Sequence, residues 1–410
     1  MARSRRSQPS RRGASFRRAE ARIAELRKRR VPVRSTPEDL DGPVDPDLRI
    51  DRAGWPYNRL ELVIGGEKVS GLGVVDFAQQ IGSGVVRMGG IAGVGTHRDH
   101  RFCGYSRRVM ESSLRWMRSE GLDTSMLYGI PSFYAKFGYA QAFASVSFTM
   151  AVRDAEAAPA GAWRFVRFRK EHLPAVLRMY RANNAGRTGP TLRDPKHWTP
   201  FRKGIRYDSK AVCKVAIDPR GRAGGYFVYD DTHLTADVIE TGFATRAVLP
   251  AIVRAAARRA VKCRLERIRF HLPPDDAFIE FCKPLGIRQE RTWRRDGGAQ
   301  VRMIRIPSAL AKLGAELAGR MSAPGELTIR TNLDDVHVAW KSGRLAVDAP
   351  RRTGPQARMP QWALAQMLYG YRDARALAAE GIVTASARAV ATLAEMFPVR
   401  PHYHYRVDHF

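Results

Sequence analysis

Residue types that bind phosphate lie close together between Gly93 and Met110, in the sequence GVGTHRDHRFCGYSRRVM. A glycine-rich strand ends there, and an amphipathic helix follows directly after the turn Arg101-Phe102-Cys103-Gly104-Tyr105-Ser106. Consecutive backbone N–H groups in such a turn converge on one point, and the positive end of the helix dipole adds to their attraction for an anion. Gly104 has no Cβ atom to keep a ligand from the backbone. The pattern predicts a pyrophosphate site, although an ordinary tight turn has the same residue types.

The predicted helix from Ser106 to Glu120 has one apolar stripe, formed by Met110, Leu114 and Met117. Such a stripe indicates that the helix packs on a sheet. Arg107 and Arg108 at its start are candidates to reach phosphate oxygens.

A second segment, SFYAKFGYAQA over residues 132–142, follows shortly after this helix. Together the two segments resemble the GNAT superfamily of acyl-coenzyme A N-acyltransferases. In that family an arginine, two residues, a glycine, one residue and a small residue hold the pyrophosphate of coenzyme A, which matches Arg101, Gly104 and Ser106. Serine is a mild departure from the usual glycine or alanine. The resemblance implies that Tyr134, which precedes a Phe-Gly-aromatic turn, protonates the departing thiolate.

The resemblance also implies acetyl-coenzyme A (acetyl-CoA) as the co-substrate. Three groups of residues are expected to contact it: the strand end that pairs with the pantetheine arm, the turn around the pyrophosphate, and the segment before Pro131 that flanks the coenzyme. These residues are Val94, Gly95, Thr96, Arg101, Phe102, Cys103, Gly104, Tyr105, Ser106, Arg107, Gly129 and Ile130.

The last nine residues, from His402 to Phe410, are rich in aromatic side chains, which argues against a frayed end. The order of domains resembles acetyltransferases of the enhanced intracellular survival (Eis) type, in which the C-terminal carboxylate accepts the proton of the amine. The resemblance implies this role for the carboxylate of Phe410. An ordinary α-carboxyl pKa of about 3.5 is far below that of an amine, so burial must raise it or water must relay the proton.

Two other features of this segment have simple interpretations. His402 and His404 lie two residues apart, but no further Cys/His cluster supports a metal site, and no metal is expected. Asp408 is a candidate to attract a cationic acceptor.

The composition limits the class of protein. A chain of 410 residues with 44% hydrophobic content predicts two or three domains with buried cores. No apolar run is long enough to span a bilayer, and no signal peptide is visible. The four cysteines show neither paired nor metal-ligand spacing, so we expect a cytoplasmic protein.

Much of the net charge of +30 comes from residues 1–30, which contain twelve Arg or Lys and two Glu. Such a segment is typical of disorder or of a solvated helix. A nucleic-acid partner is expected only through this tail, and an arginine-rich composition gives the same charge without one.

The fold class expected is α/β (α+β), with tandem GNAT-like folds followed by a sterol-carrier-protein-like domain. The expected division is a basic tail and linker over 1–46, a catalytic GNAT domain over 47–152, a second GNAT-like domain over 153–307 and the third domain over 308–410. The second copy has Phe243-Ala244-Thr245-Arg246 where the phosphate turn would lie, without its glycine pattern, so it is expected to be structural. In the third domain the expected helices are Gln361–Ala379 and Thr384–Met396.

The function expected from these features is transfer of an acetyl group from acetyl-CoA to a primary amine, by direct attack in a ternary complex. The protein is expected to form a homo-oligomer, because relatives assemble as hexamers. In the family a pair of helices near the start of the first domain forms one wall of the acceptor cleft, and this sequence lacks them. The resemblance therefore does not identify the acceptor amine. Two alternatives stay open: an RNA-associated protein, and a noncatalytic lipid carrier with an apolar cavity lined by Trp340, Trp362, Leu368 and Phe397.

Overall fold

The computed structural model describes residues 38–159, 161–205 and 208–410. The predicted basic tail over residues 1–30 and residues 31–37 of the following linker lie outside the described residues. Within the described part, no helix combines the length and apolar character needed to cross a membrane.

Twenty strands and ten α-helices are found among the described residues. The strands are β1 Leu48–Asp51, β2 Tyr57–Ile64, β3 Glu67–Ile81, β4 Gly84–Thr96, β5 Thr124–Gly129, β6 Ala140–Gln141, β7 Ser145–Ala151, β8 Arg164–Arg167, β9 Thr191–Leu192, β10 Ala211–Ile217, β11 Ala223–Asp230, β12 Asp237–Phe243, β13 Arg267–Phe270, β14 Arg288–Thr292, β15 Gly298–Met303, β16 Gly325–Arg330, β17 Val336–Lys341, β18 Arg344–Asp348, β19 Gln356–Arg358 and β20 Thr384–Ala385. The helices are α1 Tyr105–Ser119, α2 Val152–Glu156, α3 Leu173–Asn183, α4 Leu249–Lys262, α5 Ala277–Cys282, α6 Ile306–Lys312, α7 Gly314–Ala318, α8 Gln361–Leu368, α9 Ala374–Ala379 and α10 Ala387–Met396.

The first sheet has the order β1-β2-β3-β4-β5-β15-β6, with β9 paired to the end of β3. Its one parallel pair, β4 with β5, is connected through α1. The predicted stripe of α1 is buried: Met110, Leu114 and Met117 pack in a core with strand residues such as Leu60 and Val74. Apolar residues at helical spacing therefore place α1 on one face of this sheet.

The second sheet repeats this arrangement in the order β14-β7-β13-β12-β11-β10-β8. Its parallel pair, β12 with β13, is connected through α4, whose buried side chains pack with those of the sheet. We call the first sheet with its helix α1 the first module, and the second sheet with its helix α4 the second module. Each module thus contains one strand–helix–strand unit, which we call its βαβ unit.

The two sheets exchange strands. β7 pairs with β13 and β14 of the second sheet, whereas β15, late in the sequence, pairs with β5 and β6 of the first. The expected division put the strand around 141–150 in the first domain and the strand before Pro307 in the second, and the sheet membership differs from it. Alternating apolar residues identify a strand but not the strand it pairs with.

The third region forms a five-stranded sheet in the order β18-β17-β16-β19-β20 with α8, α9 and α10 beside it. The single helix expected over Gln361–Ala379 is wrong, because the chain forms α8 and α9 separated at Gly370. Gly370 has φ +69°, and a Cβ atom there would lie 2.9 Å from the backbone nitrogen of Arg400. A left-handed glycine at this position ends α8.

The core of the third region continues onto the first sheet. Met88 and Met126 of the first sheet share one buried cluster with Leu364 of α8 and Phe397. The first sheet is therefore covered by α1 on one face and by the third region on the other.

Candidate functional site

The strands β4 and β5 separate at one end of the first sheet. Their parallel pairing runs from Met88–Thr124 to Ile91–Leu127, while β4 continues to Thr96. A bulge marks the separation, because the register of β4 against β3 shifts there and Gly93 has φ +59°. Among the described residues no strand pairs with this side of β4 beyond Ile91, so its backbone donors and acceptors face an opening.

The residues expected to contact the pantetheine arm lie along this opening. Val94, Gly95 and Thr96 form the free end of β4. Gly129 ends β5 on the other side, and the exposed Ile130 follows it. The structure therefore brings these five residues to the two sides of one opening.

The predicted phosphate turn connects the free end of β4 to α1. Arg101, Phe102, Cys103 and Gly104 are exposed. Phe102 has φ +71°, and its 96% exposure shows that it packs against almost nothing in the described part of the chain. Gly104 caps α1 with φ +82°, and no described atom lies within 4 Å of the position a Cβ would take.

The start of α1 is consequently open to a ligand. Gly104 accepts hydrogen bonds from the N–H groups of Arg107 and Arg108, at 3.0 and 3.1 Å. The N–H groups of Tyr105 and Ser106 begin the helix, so they have no intrahelical acceptor. No side chain of the described residues caps this helix end. An anion placed there would be attracted by these donors and by the helix dipole.

The two basic candidates on α1 differ. Arg108 forms ion pairs with Asp45 and Asp47, both at 2.5 Å, so it is not free to bind phosphate. Arg107 is exposed. The pKa of the Lys136 ammonium is lowered mainly by its own burial and secondly by the charge of Arg107, which places the two side chains in the same region. The sequence analysis missed Lys136, although the segment 132–142 contains it.

Tyr134 lies directly beside the end of β5. A Cβ on Gly129 would come within 2.5 Å of the Tyr134 ring, so glycine is required for this close approach. The ring also packs edge-on against Phe133, with centroids 4.8 Å apart. Tyr134 is only 9% exposed, and burial raises the pKa of its phenol, which therefore stays protonated at neutral pH.

Phe410 lies on the opposite face of the same strands. A Cβ on Gly90 of β4 would come within 2.6 Å of the Phe410 ring, and the Tyr128 ring centroid is 5.8 Å from that of Phe410. Tyr128 and Gly129 are consecutive on β5, so the Tyr128 side chain and the Cβ position of Gly129 point to opposite faces of the sheet. Tyr134 and Phe410 thus lie on the two faces of the sheet, both beside the end of β5.

The C-terminal segment is buried, as its aromatic composition predicts. Tyr403, His404, Tyr405 and Val407 are all buried, and the N–H of Tyr403 bonds to the carbonyl of Thr188 at 2.9 Å. Burial lowers the pKa values of His404 and His409 and lowers that of His402 to about 4. These imidazoles are therefore uncharged at neutral pH.

Asp408 fixes this segment to the second module. Arg193 contacts both Asp408, at 3.0 Å, and Glu240 of β12, at 2.5 Å, and these three side chains are almost completely buried. The indole of Trp198 donates a further hydrogen bond to Asp408 at 3.1 Å. The expectation that Asp408 attracts a cationic acceptor is therefore wrong, because buried partners already occupy its carboxylate.

The interpretation of His402 and His404 as a metal pair also has no geometric support. Their Nδ1 atoms face different carbonyl oxygens, that of Arg400 at 3.0 Å and that of Gly189 at 3.1 Å. A different group, Glu67, His97 and His100, has ligand atoms within 4.8 Å of one another beside the phosphate turn. Sequence spacing did not single out this group, because Glu67 begins a different strand.

Two cavities lie near the opening. One, of about 260 Å³, is lined by residues of β5, the C-terminal segment and the turn before β15, among them Tyr128, Arg294, His404, Arg406 and His409. The other, of about 360 Å³, lies over β2, β3 and the free end of β4, where its lining includes Gly95 and Thr96. The apolar residues suggested for a lipid cavity line neither of these two; Trp340, Leu368 and Phe397 are buried in the core instead.

Two protein-family models match the chain. An acetyltransferase (GNAT) domain matches residues 56–142, which include β2 to β5 and the phosphate turn. A sterol carrier protein domain matches residues 306–405. The comparison with curated proteins finds no match.

Solved structures share the fold over most of the chain. A probable N-acyltransferase from Enterococcus faecalis has a TM-score of 0.70 at 15% identity and covers 84% of this chain and 88% of its own. A GCN5-related N-acetyltransferase from Kribbella flavida has a TM-score of 0.67 at 21% identity, with coverages of 86% and 87%. Eis1 from Mycobacterium abscessus has a TM-score of 0.60 at 17% identity, with coverages of 86% and 90%. The predicted fold class and resemblance are confirmed.

Proposed function

We propose that this chain, which contains a GNAT acetyltransferase domain followed by a sterol carrier protein domain, transfers an acetyl group from acetyl-CoA to a primary amine. The observation that carries the proposal is the unpaired end of β4, which leads directly to the uncapped start of α1. An extended arm with amide groups can pair with the strand, and a pyrophosphate can bind the helix start.

In this proposal the backbones of Val94, Gly95 and Thr96 bind the pantetheine arm. The amides of the phosphate turn, from Phe102 to Ser106, bind the pyrophosphate, and the side chains of Arg101 and Arg107 supply positive charge. Gly129 and Ile130 flank the coenzyme from the end of β5. This set has both charge and free hydrogen-bond donors, which an anionic ligand requires.

The reaction needs an acid and a base on different sides of the thioester. The amine nitrogen attacks the carbonyl carbon, a C–N bond forms, and the C–S bond breaks. Tyr134 donates its phenolic proton to the departing sulfur. Its raised pKa supports this role because an acid must be protonated before the step.

We further propose that the carboxylate of Phe410 accepts the proton of the attacking amine. Support comes from the position of the Phe410 ring, which packs on Gly90 across the sheet from Tyr134. This role requires either a carboxyl pKa above the ordinary value of about 3.5 or a water molecule that relays the proton. Acid and base then approach the thioester from opposite faces.

We also propose that the enzyme acts in the cytoplasm and assembles as a homo-oligomer. The four cysteines are free thiols, the state that a reducing compartment maintains. The oligomer follows from the resemblance alone, and analytical ultracentrifugation of the full chain tests it.

Acetyl-CoA is expected to raise the melting temperature of the full chain, whereas adenosine alone is not. Transfer to amines is then measured by release of free thiol with a broad panel of primary amines. Absence of transfer to every amine, or of any stabilisation by acetyl-CoA, would refute the proposed function.

Tyr134→Phe tests the acid. We expect kcat to fall about 100-fold, within the usual contribution of a general acid, with little change in acetyl-CoA affinity. Tyr139→Phe is the matched control, because the Tyr139 hydroxyl bonds to Ser125 at 2.7 Å inside the core. An equal loss of kcat in both variants would show that Tyr134 has only a structural role.

A further inference from the structure

The cavity of about 260 Å³ lies on the face of the first sheet where the Phe410 ring packs. Tyr128 of β5 lines it, and the Tyr128 ring stacks on His409 with centroids 3.9 Å apart. Tyr128 directly follows Leu127, the last residue of β5 that pairs with β4. The cavity therefore lies beside the point where β4 and β5 separate, next to the proposed base.

A second wall of the cavity is the turn before β15, which carries Arg294. Asp296 in this turn accepts hydrogen bonds from the backbone N–H and the hydroxyl of Ser132, two residues before Tyr134. A Cβ on Gly297 would lie 3.2 Å from the carbonyl oxygen of Gly129. These contacts fix the turn against the end of β5, so Arg294 is held near the reaction centre.

The charges around the cavity have one sign. Arg294 and Arg406 both line it, and neither guanidinium forms an ion pair or a hydrogen bond within the part of the chain that the structure describes. His404 and His409 are uncharged at neutral pH, and no Asp or Glu side chain is among the lining residues. Two unpaired cations therefore face the cavity without a compensating carboxylate side chain.

One lining residue also has an unused acceptor. The Nδ1 atom of His404 lies 3.1 Å from the Gly189 carbonyl oxygen, so in the neutral imidazole Nδ1 donates and Nε2 accepts. Nε2 is buried and makes no hydrogen bond of normal geometry among the described residues, although the backbone of Asp408 lies near the ring. Such an atom can accept a hydrogen bond from an amine.

We propose that the acceptor amine also carries an anionic group, a carboxylate or a phosphate, which Arg294 and Arg406 bind. This inference rests on the proposed acetyl transfer. The amine then lies towards His404 and Phe410. A guanidinium matches carboxylate and phosphate oxygens in two parallel hydrogen bonds, which suits either anion. A polycationic amine meets two like charges instead.

The size of the cavity limits the acceptor. A volume of about 260 Å³ corresponds to roughly nine water molecules at ~30 Å³ each. The acceptor is therefore a compound of about the size of an amino acid, or one end of a larger molecule.

Matched acceptors test the proposal with the full chain. The carboxylate arm compares β-alanine with β-alaninamide, the phosphate arm compares O-phosphoethanolamine with ethanolamine, and spermidine represents the polycations. We expect kcat/KM to be at least 10-fold higher for the anionic member of one or both pairs than for its neutral partner. The arm with the larger ratio identifies the anion.

Variants connect this preference to the two arginines. Arg294→Gln and Arg406→Gln are each expected to lower the anionic-to-neutral ratio about 10-fold, mainly through KM. Arg294→Lys is expected to restore part of it. Arg295→Gln is the matched control, because Arg295 is exposed in the same turn and does not line the cavity.

Equal or better transfer to the neutral amines or spermidine would overturn the proposal, as would an unchanged ratio in both glutamine variants. If no amine is acetylated at all, the proposed function fails, and calorimetric binding then decides this inference separately. Tighter binding of O-phosphoethanolamine or β-alanine than of their neutral partners, lost in the glutamine variants, supports it; equal binding overturns it.

Discussion

The βαβ units of the two modules differ in the hydrogen-bond partners at the end of their first parallel strand, which is β4 in the first module and β12 in the second. In the first, the end of β4 pairs with no described strand on the side of β5, and no described side chain caps the start of α1 at Gly104. In the second, the side chain of Asn183 bonds both the N–H and the carbonyl of Phe243, at 2.8 and 3.1 Å. Thr245 accepts a hydrogen bond from Ala247 in the turn that leads to α4.

The difference lies in which backbone groups have partners. In the second unit side chains bond the backbone of Phe243 and of Ala247, close to where the first unit leaves its backbone groups open. Strand β12 of the second unit also supplies Glu240, which with Asp408 holds the buried Arg193. We infer that the second module positions the C-terminal segment for the site of the first.

Extending the C-terminal segment gives the largest expected effect. Three residues appended after Phe410 displace the proposed base, so we expect kcat to fall by at least 100-fold, while the acetyl-CoA dissociation constant changes less than twofold. The same three residues inserted after Gly381, in an exposed turn of the third region, serve as the control. Steady-state kinetics and calorimetry measure both, and normal turnover in the extended chain would remove Phe410 from the mechanism.

Gly104→Ala tests whether the start of α1 binds acetyl-CoA, and a glycine variant in the second module serves as the comparison. The new methyl group strains a left-handed residue by about 1–2 kcal/mol and occupies the space above the amides, so acetyl-CoA should bind about 30-fold more weakly. Gly221→Ala is the matched control, because Gly221 has φ +79° and similarly open surroundings in the second module. Equal affinities for acetyl-CoA in the two variants would contradict a role for Gly104 in binding.

Asn183→Ala removes the side chain that bonds the backbone N–H and carbonyl of Phe243 at the end of β12. The loss of two hydrogen bonds to a partly buried backbone should lower the free energy of unfolding by about 1.5 kcal/mol. Acetyl-CoA affinity should not change, since we propose that the coenzyme binds the first module. Urea denaturation and calorimetry measure these quantities, and a change in affinity without a change in stability would contradict the comparison.

The smallest effect concerns pH. Burial lowers the pKa of His402 to about 4, whereas the unfolded chain titrates near 6.5. Below pH 6.5 the unfolded state binds more protons than the folded state. The contribution of His402 to stability is therefore fully present above pH 6.5 and is lost as the pH falls below it. We expect the lowered pKa of His402 to reduce the free energy of unfolding by about 1 kcal/mol when the pH falls from 7.5 to 5.5.

Urea denaturation at these two pH values measures this loss. His402→Gln should reduce the pH dependence, and the exposed His233→Gln should leave it unchanged. The same slope in all three proteins would show that His402 is not the group responsible.

Local patterns were sufficient to predict much of the fold. The stripe Met110, Leu114, Met117 predicted a helix over 106–120, and α1 spans Tyr105–Ser119. The glycine after Arg101 predicted an open turn, because positive φ and a free helix start are properties of a few adjacent residues. The aromatic residues before Phe410 likewise predicted a buried segment.

Features that depend on distant partners were not predictable from one sequence. The exchange of β7 and β15 depends on which edge each strand meets, and alternation does not encode that choice. Asp408 was expected to attract a cationic acceptor, but it binds Arg193, which lies more than two hundred residues earlier. Arg294 and Arg406 come together in one cavity only through the fold.

The most direct test of the central claim is a crystal structure of the full chain with coenzyme A. Our account predicts the pyrophosphate at the amides of Gly104, Tyr105 and Ser106, with the pantetheine arm along Val94 to Thr96. A coenzyme bound at the start of α4 in the second module, or an opening between β4 and β5 that stays empty at saturating coenzyme, would contradict it.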